Sequence, residues 1–254
     1  MNPRPSTDST GTTARGVALA GVLALAACLA AAPAAAQESG AWSGTLGLSF
    51  VATSGNSDTT TFGLDLGLER KPNPWGWTLA ASYLKAEQDG ETTAERYGAS
   101  LRADRKLGDR WSLFGSLAAD HDAFAGYDLR GIAAAGGTYH AMLGPVHELA
   151  FDAGLTWTTE HLIADRDRDF MGGVFGLTYA WHPRKGTTLG EHLVWYPDFD
   201  ESSDWRLTSE TSVQAALSDR LALKVGYLVR YDHQPVPGFD ETDTTTTISL
   251  VVGF

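Results

Sequence analysis

The chain has 254 residues, 31 acidic against 19 basic, giving a net charge of −12 at pH 7, and a single cysteine. A surplus of carboxylates argues against nucleic acid as a partner, because phosphate neutralisation needs clustered Lys and Arg. One cysteine rules out an intramolecular disulfide framework.

Residues 1–36 read as an export signal. Arg4 and Arg15 precede an apolar run from Gly16 to Ala30, and Pro33 is followed by Ala34-Ala35-Ala36, an A-x-A cleavage pattern. Such a segment is a cleavable secretory signal peptide, too short and wrongly flanked to span a membrane. The mature domain is then 37–254. A competing reading takes Leu25-Ala26-Ala27-Cys28 as a lipoprotein signal, which would acylate Cys28. Cleavage after Ala36 removes the only cysteine, and with it two Arg and one Asp, leaving a net charge of −13. Downstream, nothing approaches the roughly 18 consecutive apolar residues of a transmembrane helix.

From Trp42 onward the apolar residues recur with period two. Phe62, Leu64, Leu66 and Leu68 alternate with Gly63, Asp65, Gly67 and Glu69; Leu149, Phe151, Ala153, Leu155 and Trp157 alternate with Ala150, Asp152, Gly154 and Thr156. Twelve runs follow this pattern: 42–53, 59–70, 75–87, 94–106, 111–121, 129–141, 147–160, 170–182, 187–197, 205–217, 221–231 and 243–254. Most are about twice the length of a soluble strand and match the roughly 9–11 residues with which a tilted strand crosses a bilayer. The connections alternate too. Those after odd-numbered runs ("SGNSD", "QDGETT", "DAFAGYD", "HLIADRDRD", "DFDESSD", "DHQPVPGFDET") are mostly longer and acidic; those after even-numbered runs ("KPNP", "GDR", "MLGP", "PRKG", "SDR") are short. Outer-membrane barrels have this asymmetry of long outside loops and short periplasmic turns.

One phase of the alternation carries Asp65, Glu69, Arg102, Asp104, Asp120, Asp152, Arg206, Glu210, Lys224 and Arg230. The other is apolar and includes the tryptophans of the well-patterned runs. Trp42, Trp75, Trp77, Trp111 and Trp181 fall toward the short-turn side, and Trp157, Trp195 and Trp205 toward the long-loop side. Two aromatic girdles suit a bilayer, where indoles settle at headgroup level. The expectation is an all-β, antiparallel up-and-down transmembrane barrel of twelve strands, with the apolar phase facing lipid and the charges lining the lumen. The last run keeps its apolar phase through Ile248, Leu250, Val252 and Phe254. It must pair with the first to remove both sheet edges, which puts Phe254 in the rim girdle. Two runs fit poorly. "LRGIAAAGGTYHA" is too rich in Ala and Gly to fix its phase, and Glu191 falls on the lipid side unless a bulge at Gly190 turns it inward.

The opening of the domain, "WSGTLGLSFVATSGNSDTTTFGLDLGLE", carries a Trp-x-Gly strand running into the turn Ser54-Gly55-Asn56-Ser57-Asp58-Thr59. It resembles the bacterial YdiY-like family of salt-induced outer-membrane proteins, a domain of unknown function. The ending, with Pro237-Gly238, Asp243 and the terminal Gly253-Phe254, is similar as well. The resemblance implies an outer-membrane barrel and a link to salt stress, and supplies no catalytic residues. A terminal Phe behind alternating apolar residues also resembles the signal read by the outer-membrane assembly machinery.

Catalytic motifs are missing: there is no G-x-S-x-G, no H-E-x-x-H and no paired cysteines. The nearest approach to a nucleophile and base is His192 with Ser209 or Ser212. Asp165, Asp167 and Asp169 alternate as cation ligands would, but the stretch lacks the Gly and Glu of a calcium loop. We therefore expect no enzymatic activity, no cofactor and no resident metal. The expected surroundings are outer-membrane lipid and lipopolysaccharide, with the assembly machinery as a partner during biogenesis, and the barrel as a monomer. Twelve strands lie between the barrels of about eight strands that side chains fill and the open porins of about 16–18. A narrow channel for small polar solutes or ions, connected with osmotic adaptation, and a plugged barrel supporting the envelope both remain compatible with the residues. A lipid-modifying enzyme is a distant third.

Overall fold

A computed structural model describes residues 42–53, 59–123, 125–163 and 167–254. It contains β1 (Trp42–Thr53), β2 (Thr59–Arg70), β3 (Trp75–Gln88), β4 (Glu91–Lys106), β5 (Trp111–Asp122), β6 (Tyr127–Leu143), β7 (His147–Leu162), β8 (Arg168–Arg184), β9 (Thr187–Pro197), β10 (Trp205–Ala216), β11 (Leu221–Asp232) and β12 (Thr242–Gly253). Each strand pairs antiparallel with its neighbours in sequence, and β12 pairs with β1, so the sheet closes. Closure is the condition for a sheet to sit in hydrocarbon, and the closing ladder runs from Thr45↔Gly253 to Ser49↔Ser249. The export signal and Ser54–Asp58 lie outside the described residues, and Thr59 opens β2 opposite Thr53.

Cross-strand bonds identify the interior. Arg102 on β4 reaches Asp152 on β7 at 2.8 Å, Arg230 on β11 reaches Asp122 on β5 at 3.3 Å, and Tyr127 on β6 donates to Asp232 on β11 at 2.9 Å. None of these strands are neighbours, so the side chains can meet only through the lumen. The opposite phase carries Leu66, Leu117, Phe151, Leu155, Val225 and Ile248, all exposed. A belt of that extent is far larger than the apolar patches a soluble monomer shows, and it faces lipid. Seven tryptophans (Trp42, Trp75, Trp77, Trp111, Trp157, Trp181 and Trp195) and Phe254 are exposed on this outer surface, whereas Trp205 is half-buried against the Tyr231 ring at 4.9 Å.

Three details differ from the sequence-based expectation. The connection read as "QDGETT" is a two-residue turn, Asp89-Gly90, with φ of 52° and 86°. Positive φ at both centres is the geometry of a tight type I′ hairpin, so β3 and β4 extend further and this outside loop is short. The ambiguous sixth strand is fixed by its partners: Thr138 pairs with Asp152 and Arg130 with Glu160, both inward, with register shifts near Leu129 and Met142. The bulge expected at Gly190 is not there. Register runs unbroken from Ala180↔Gly190 to Gly190↔Ser212, and Glu191 stays on the outer surface. Its carboxylate accepts hydrogen bonds from Ser209 Oγ at 2.7 Å and Thr211 Oγ1 at 2.6 Å instead, which replaces part of the hydration it lacks.

The seam between β1 and β12 explains the Trp-x-Gly pattern. Gly44 N donates to Phe254 O at 2.8 Å and Phe254 N to Gly44 O at 3.0 Å. A Cβ on Gly44 would overlap Cε2 and Cζ of the Phe254 ring. Glycine leaves the space in which the last side chain lies across the first strand. At the long-loop end, Val236 is buried against Gly126, whose φ is 86° and whose place no larger residue could take without meeting Val236. Gln234 Nε2 donates to Ser203 Oγ at 2.8 Å, tying two of these loops together.

Candidate functional site in the lumen

Strand register turns Asp65 and Glu69 (β2), Arg102 and Asp104 (β4), Asp120 (β5), Asp152 (β7), Arg206 and Glu210 (β10), and Lys224 and Arg230 (β11) to the lumen. They do not form one ring. The structure divides them between a filled half of the lumen and an open one.

The filled half centres on Glu160, whose side chain has no exposure to solvent. Arg130 Nε donates to its Oε1 at 2.8 Å, Arg168 Nε to its Oε2 at 2.6 Å, and Arg206 Nη1 also to Oε1. Arg168 continues to Asp204 at 2.8 Å, and Arg130 lies 3.7 Å from Asp232 and 3.5 Å over the Tyr127 ring. Burial pushes the carboxyl of Asp204, in the loop before β10, above its ordinary value against the opposing pull of Arg168. Deeper in, Phe114, Val174 and Val194 form a buried apolar cluster with Ala134 and Tyr196 against it. The Arg102 guanidinium sits 4.2 Å over Phe114 and bonds Asp104, Asp152 and Thr138. The polar phase thus contains a layer of large apolar side chains, which alternation alone did not indicate.

The open half runs along β1, β2, β11 and β12. On β1, β2 and β12 many inward residues are small or hydroxylated: Thr45, Gly47, Ser49, Gly63, Thr245, Thr247 and Ser249. They border a cavity of about 420 Å³ that also meets Asp65, Arg96, Lys224 and Arg230. Lys224 binds Glu210 at 2.6 Å. Above it, an outer vestibule of about 200 Å³ is lined by Asp120, Asp122, Tyr127, Arg206, Asp232 and Asp243. Arg230 borders both spaces and is held by Asp122, which also holds Arg96 at 3.6 Å. Toward the short turns lies an inner mouth of about 500 Å³ with Glu69, Arg102, Asp104, Asp152 and His192 on its wall.

The nearest candidates for a nucleophile and base, His192 with Ser209 or Ser212, are not brought together as a pair. His192 Nδ1 lies 3.0 Å from Thr178 Oγ1, while Ser212 faces the lumen beside Gly190 and Ser209 faces out toward Glu191. Ser112 Oγ approaches His140 Nε2 at 3.4 Å, but no carboxylate among the described residues bonds that ring. Asp167 pairs with His161 at 2.8 Å and Asp169 accepts from Thr159 at 2.6 Å, whereas Asp165 lies outside the described residues. Among the described residues, no three metal-ligating side chains gather in one place.

The model of the family described as "Protein of unknown function, DUF481" matches residues 46–254. The chain belongs to this family. This DUF481 protein is 26% identical over 219 residues to the "Uncharacterized protein YdiY" of Escherichia coli (strain K12), covering 86% of this chain and 84% of that one. Among solved structures it is similar to the COG4313 outer membrane channel from Pseudomonas putida F1, with a TM-score of 0.53 at 12% identity over 88% of this chain and 100% of that one. It is also similar to the NanC porin, with a TM-score of 0.47 at 12% identity over 84% and 98% of the two chains. At that identity the first likeness concerns the fold alone.

Several lumen residues of the DUF481 barrel escaped the sequence reading. Glu160 shares the phase of Asp152 and could have been taken from the same alternation. Arg130 lay in the run whose phase was ambiguous, and Arg168 and Asp204 lay in stretches read as loops. Arg96, Asp122, Tyr127, Asp232 and Asp243 sit near strand ends, where the period is short of repeats.

Proposed function

We propose that this DUF481 protein is an outer-membrane channel with a narrow off-axis path for small polar solutes or ions. The observation that carries this is the one-sided filling of the lumen: large side chains occupy the β4–β10 half, and glycine, serine and threonine line the β1–β2–β12 side around about 420 Å³ of space. A plug needs large side chains from every wall, and here the β1–β2–β12 wall provides mostly small ones. Residues 1–36 as a cleavable export signal, the two tryptophan girdles and the lipid-facing belt support the outer membrane as its location, with lipopolysaccharide around its outer rim. The barrel is proposed to act as a monomer after delivery by the assembly machinery, and to serve in salt or osmotic adaptation. N-terminal sequencing of the exported protein should begin at Gln37.

The decisive experiment is single-channel recording of the refolded mature chain in planar bilayers. Discrete conductance steps are expected. A folded, heat-modifiable sample that gives none refutes the channel. It would favour the second reading, a plugged barrel in envelope integrity, for which the Glu160 cluster is the supporting observation.

A further inference from the structure

We propose that the path selects cations, and that Asp65 is its principal selectivity residue. This rests on the channel reading above and names the class of solute that the channel takes. The argument comes from which lumen charges are already neutralised.

Among the described residues, the lumen-facing cations between the two mouths are all engaged. Arg102 lies 2.8 Å from Asp152, Lys224 2.6 Å from Glu210, Arg230 3.3 Å and Arg96 3.6 Å from Asp122, and Arg130, Arg168 and Arg206 converge on Glu160. The carboxylates are not all engaged. Asp65, Glu69, Asp120 and Asp243 face the lumen, and no ion pair within 4.0 Å joins any of them to a described cation. These four are spread along the axis. Asp120 and Asp243 line the outer vestibule, Asp65 the cavity between the mouths, and Glu69 the inner mouth.

Both mouths therefore have carboxylates to spare, and in the cavity between them Asp65 is a carboxylate without an ion pair. In the vestibule Arg230 faces Asp120, Asp122 and Asp243, beside the Arg130, Arg206 and Asp232 of the buried cluster. In the middle, Asp65 shares the cavity with Lys224, which is paired with Glu210, and with Arg96 and Arg230, which are both paired with Asp122. At the inner mouth Arg102 faces Asp104, Asp152 and Glu69. The remaining cluster balances itself, with Arg130, Arg168 and Arg206 against Glu160, Asp204 and Asp232. Carboxylates without ion pairs, placed in succession along a narrow polar passage, are how carboxylate-lined pores favour cations. Asp65 matters most because its carboxylate borders the open cavity and its neighbours across the ladder, Gly47 and Ser82, are too small to shield it.

The test is the reversal potential of the full mature chain in planar bilayers across a KCl gradient at about 0.1 M, where charges beyond roughly 10 Å are screened. A potential of cation-selective sign is expected. Asp65→Asn should lower the K⁺/Cl⁻ permeability ratio about fivefold, the effect of one charge at a few ångströms in a water-like medium. Glu69→Gln should lower it less, since that residue sits at a wide mouth. If the Asp65 variant does not fold, acidifying the wild type to about pH 4, near ordinary carboxylate values, should reduce selectivity in its place. Conductance with anion-selective or zero reversal potential overturns the selectivity and leaves the channel standing. Cation selectivity unchanged in Asp65→Asn overturns the role of Asp65. No conductance from folded protein overturns the channel reading and the selectivity together.

Discussion

Replacing Glu160 by Gln removes a carboxylate shared by three arginines while keeping nearly the same shape. Arg130 and Arg168 retain second carboxylates, at 3.7 Å from Asp232 and 2.8 Å from Asp204, whereas Arg206 has no other ion pair among the described residues. Removing one partner of a buried charge set costs about 3–5 kcal/mol, because the remaining charges stay buried and unpaired. The two surviving contacts argue for the lower end, about 3 kcal/mol. The measurement is reversible urea unfolding of the protein folded in lipid or detergent, comparing Glu160→Gln with Glu69→Gln. The latter sits at the inner mouth without an ion pair and should move stability by less than about 0.5 kcal/mol. A loss under about 1 kcal/mol for Glu160→Gln would refute the reasoning, since it would mean that water reaches the cluster and screens the arginines as well as the carboxylate did.

Gly47→Val should lower conductance without loss of stability. A Cβ there would stand 3.4 Å from Asp65 Cβ, an ordinary contact, and the added methyls would project into the open path; single-channel amplitudes decide. Glu191→Leu should stabilise the barrel by about 1 kcal/mol, because an ionisable group leaves the lipid-facing surface; destabilisation in urea titration would show that the bonds from Ser209 and Thr211 outweigh that cost. Gly44→Leu should cost about 1–3 kcal/mol by displacing the Phe254 ring. A double-mutant cycle with Phe254→Ala should recover most of that loss, and simple additivity would disprove the contact.

Strand number, phase and most boundaries could be read from the chain because a barrel in lipid has two unlike solvents, one on each side of a single sheet. Most of the inward–outward alternation is then written in residue type, and β1, β2 and β9 begin and end where the period does. What alternation cannot give is a partner across the lumen. Arg102 and Asp152 are inward on both criteria, yet nothing in their spacing says that β4 and β7 face each other at that height. The apolar layer was hidden for a related reason. Phe114, Val174 and Val194 occupy the polar phase of their strands, and large apolar residues there break the rule that identifies the face. Glu191 breaks it from the other side, and the bulge invoked to repair it was unnecessary because two hydroxyls on β10 supply the missing partners.

The uneven filling has a mechanical consequence for closure. Cross-lumen ties join β4 to β7, β5 to β11, β6 to β11 and β7 to β10. Among the described residues, no ion pair involves β1, β2 or β12. Their side-chain bonds are local, as in Ser43 Oγ donating to the Glu69 carbonyl at 3.4 Å. The seam therefore depends on its backbone ladder and on the packing of Phe254 over Gly44, with the cavity of about 420 Å³ behind it. Regions with few buried contacts open at lower free energy than the rest of a fold. Amide hydrogen exchange on the reconstituted barrel should accordingly be fastest, among the strands, in β1 and β12, and slowest in β6, β7 and β8 around Glu160. Equal protection around the whole barrel would show that the lumen ties do not control local opening. A seam that exchanges no faster in Gly44→Leu would remove the role given to the terminal phenylalanine.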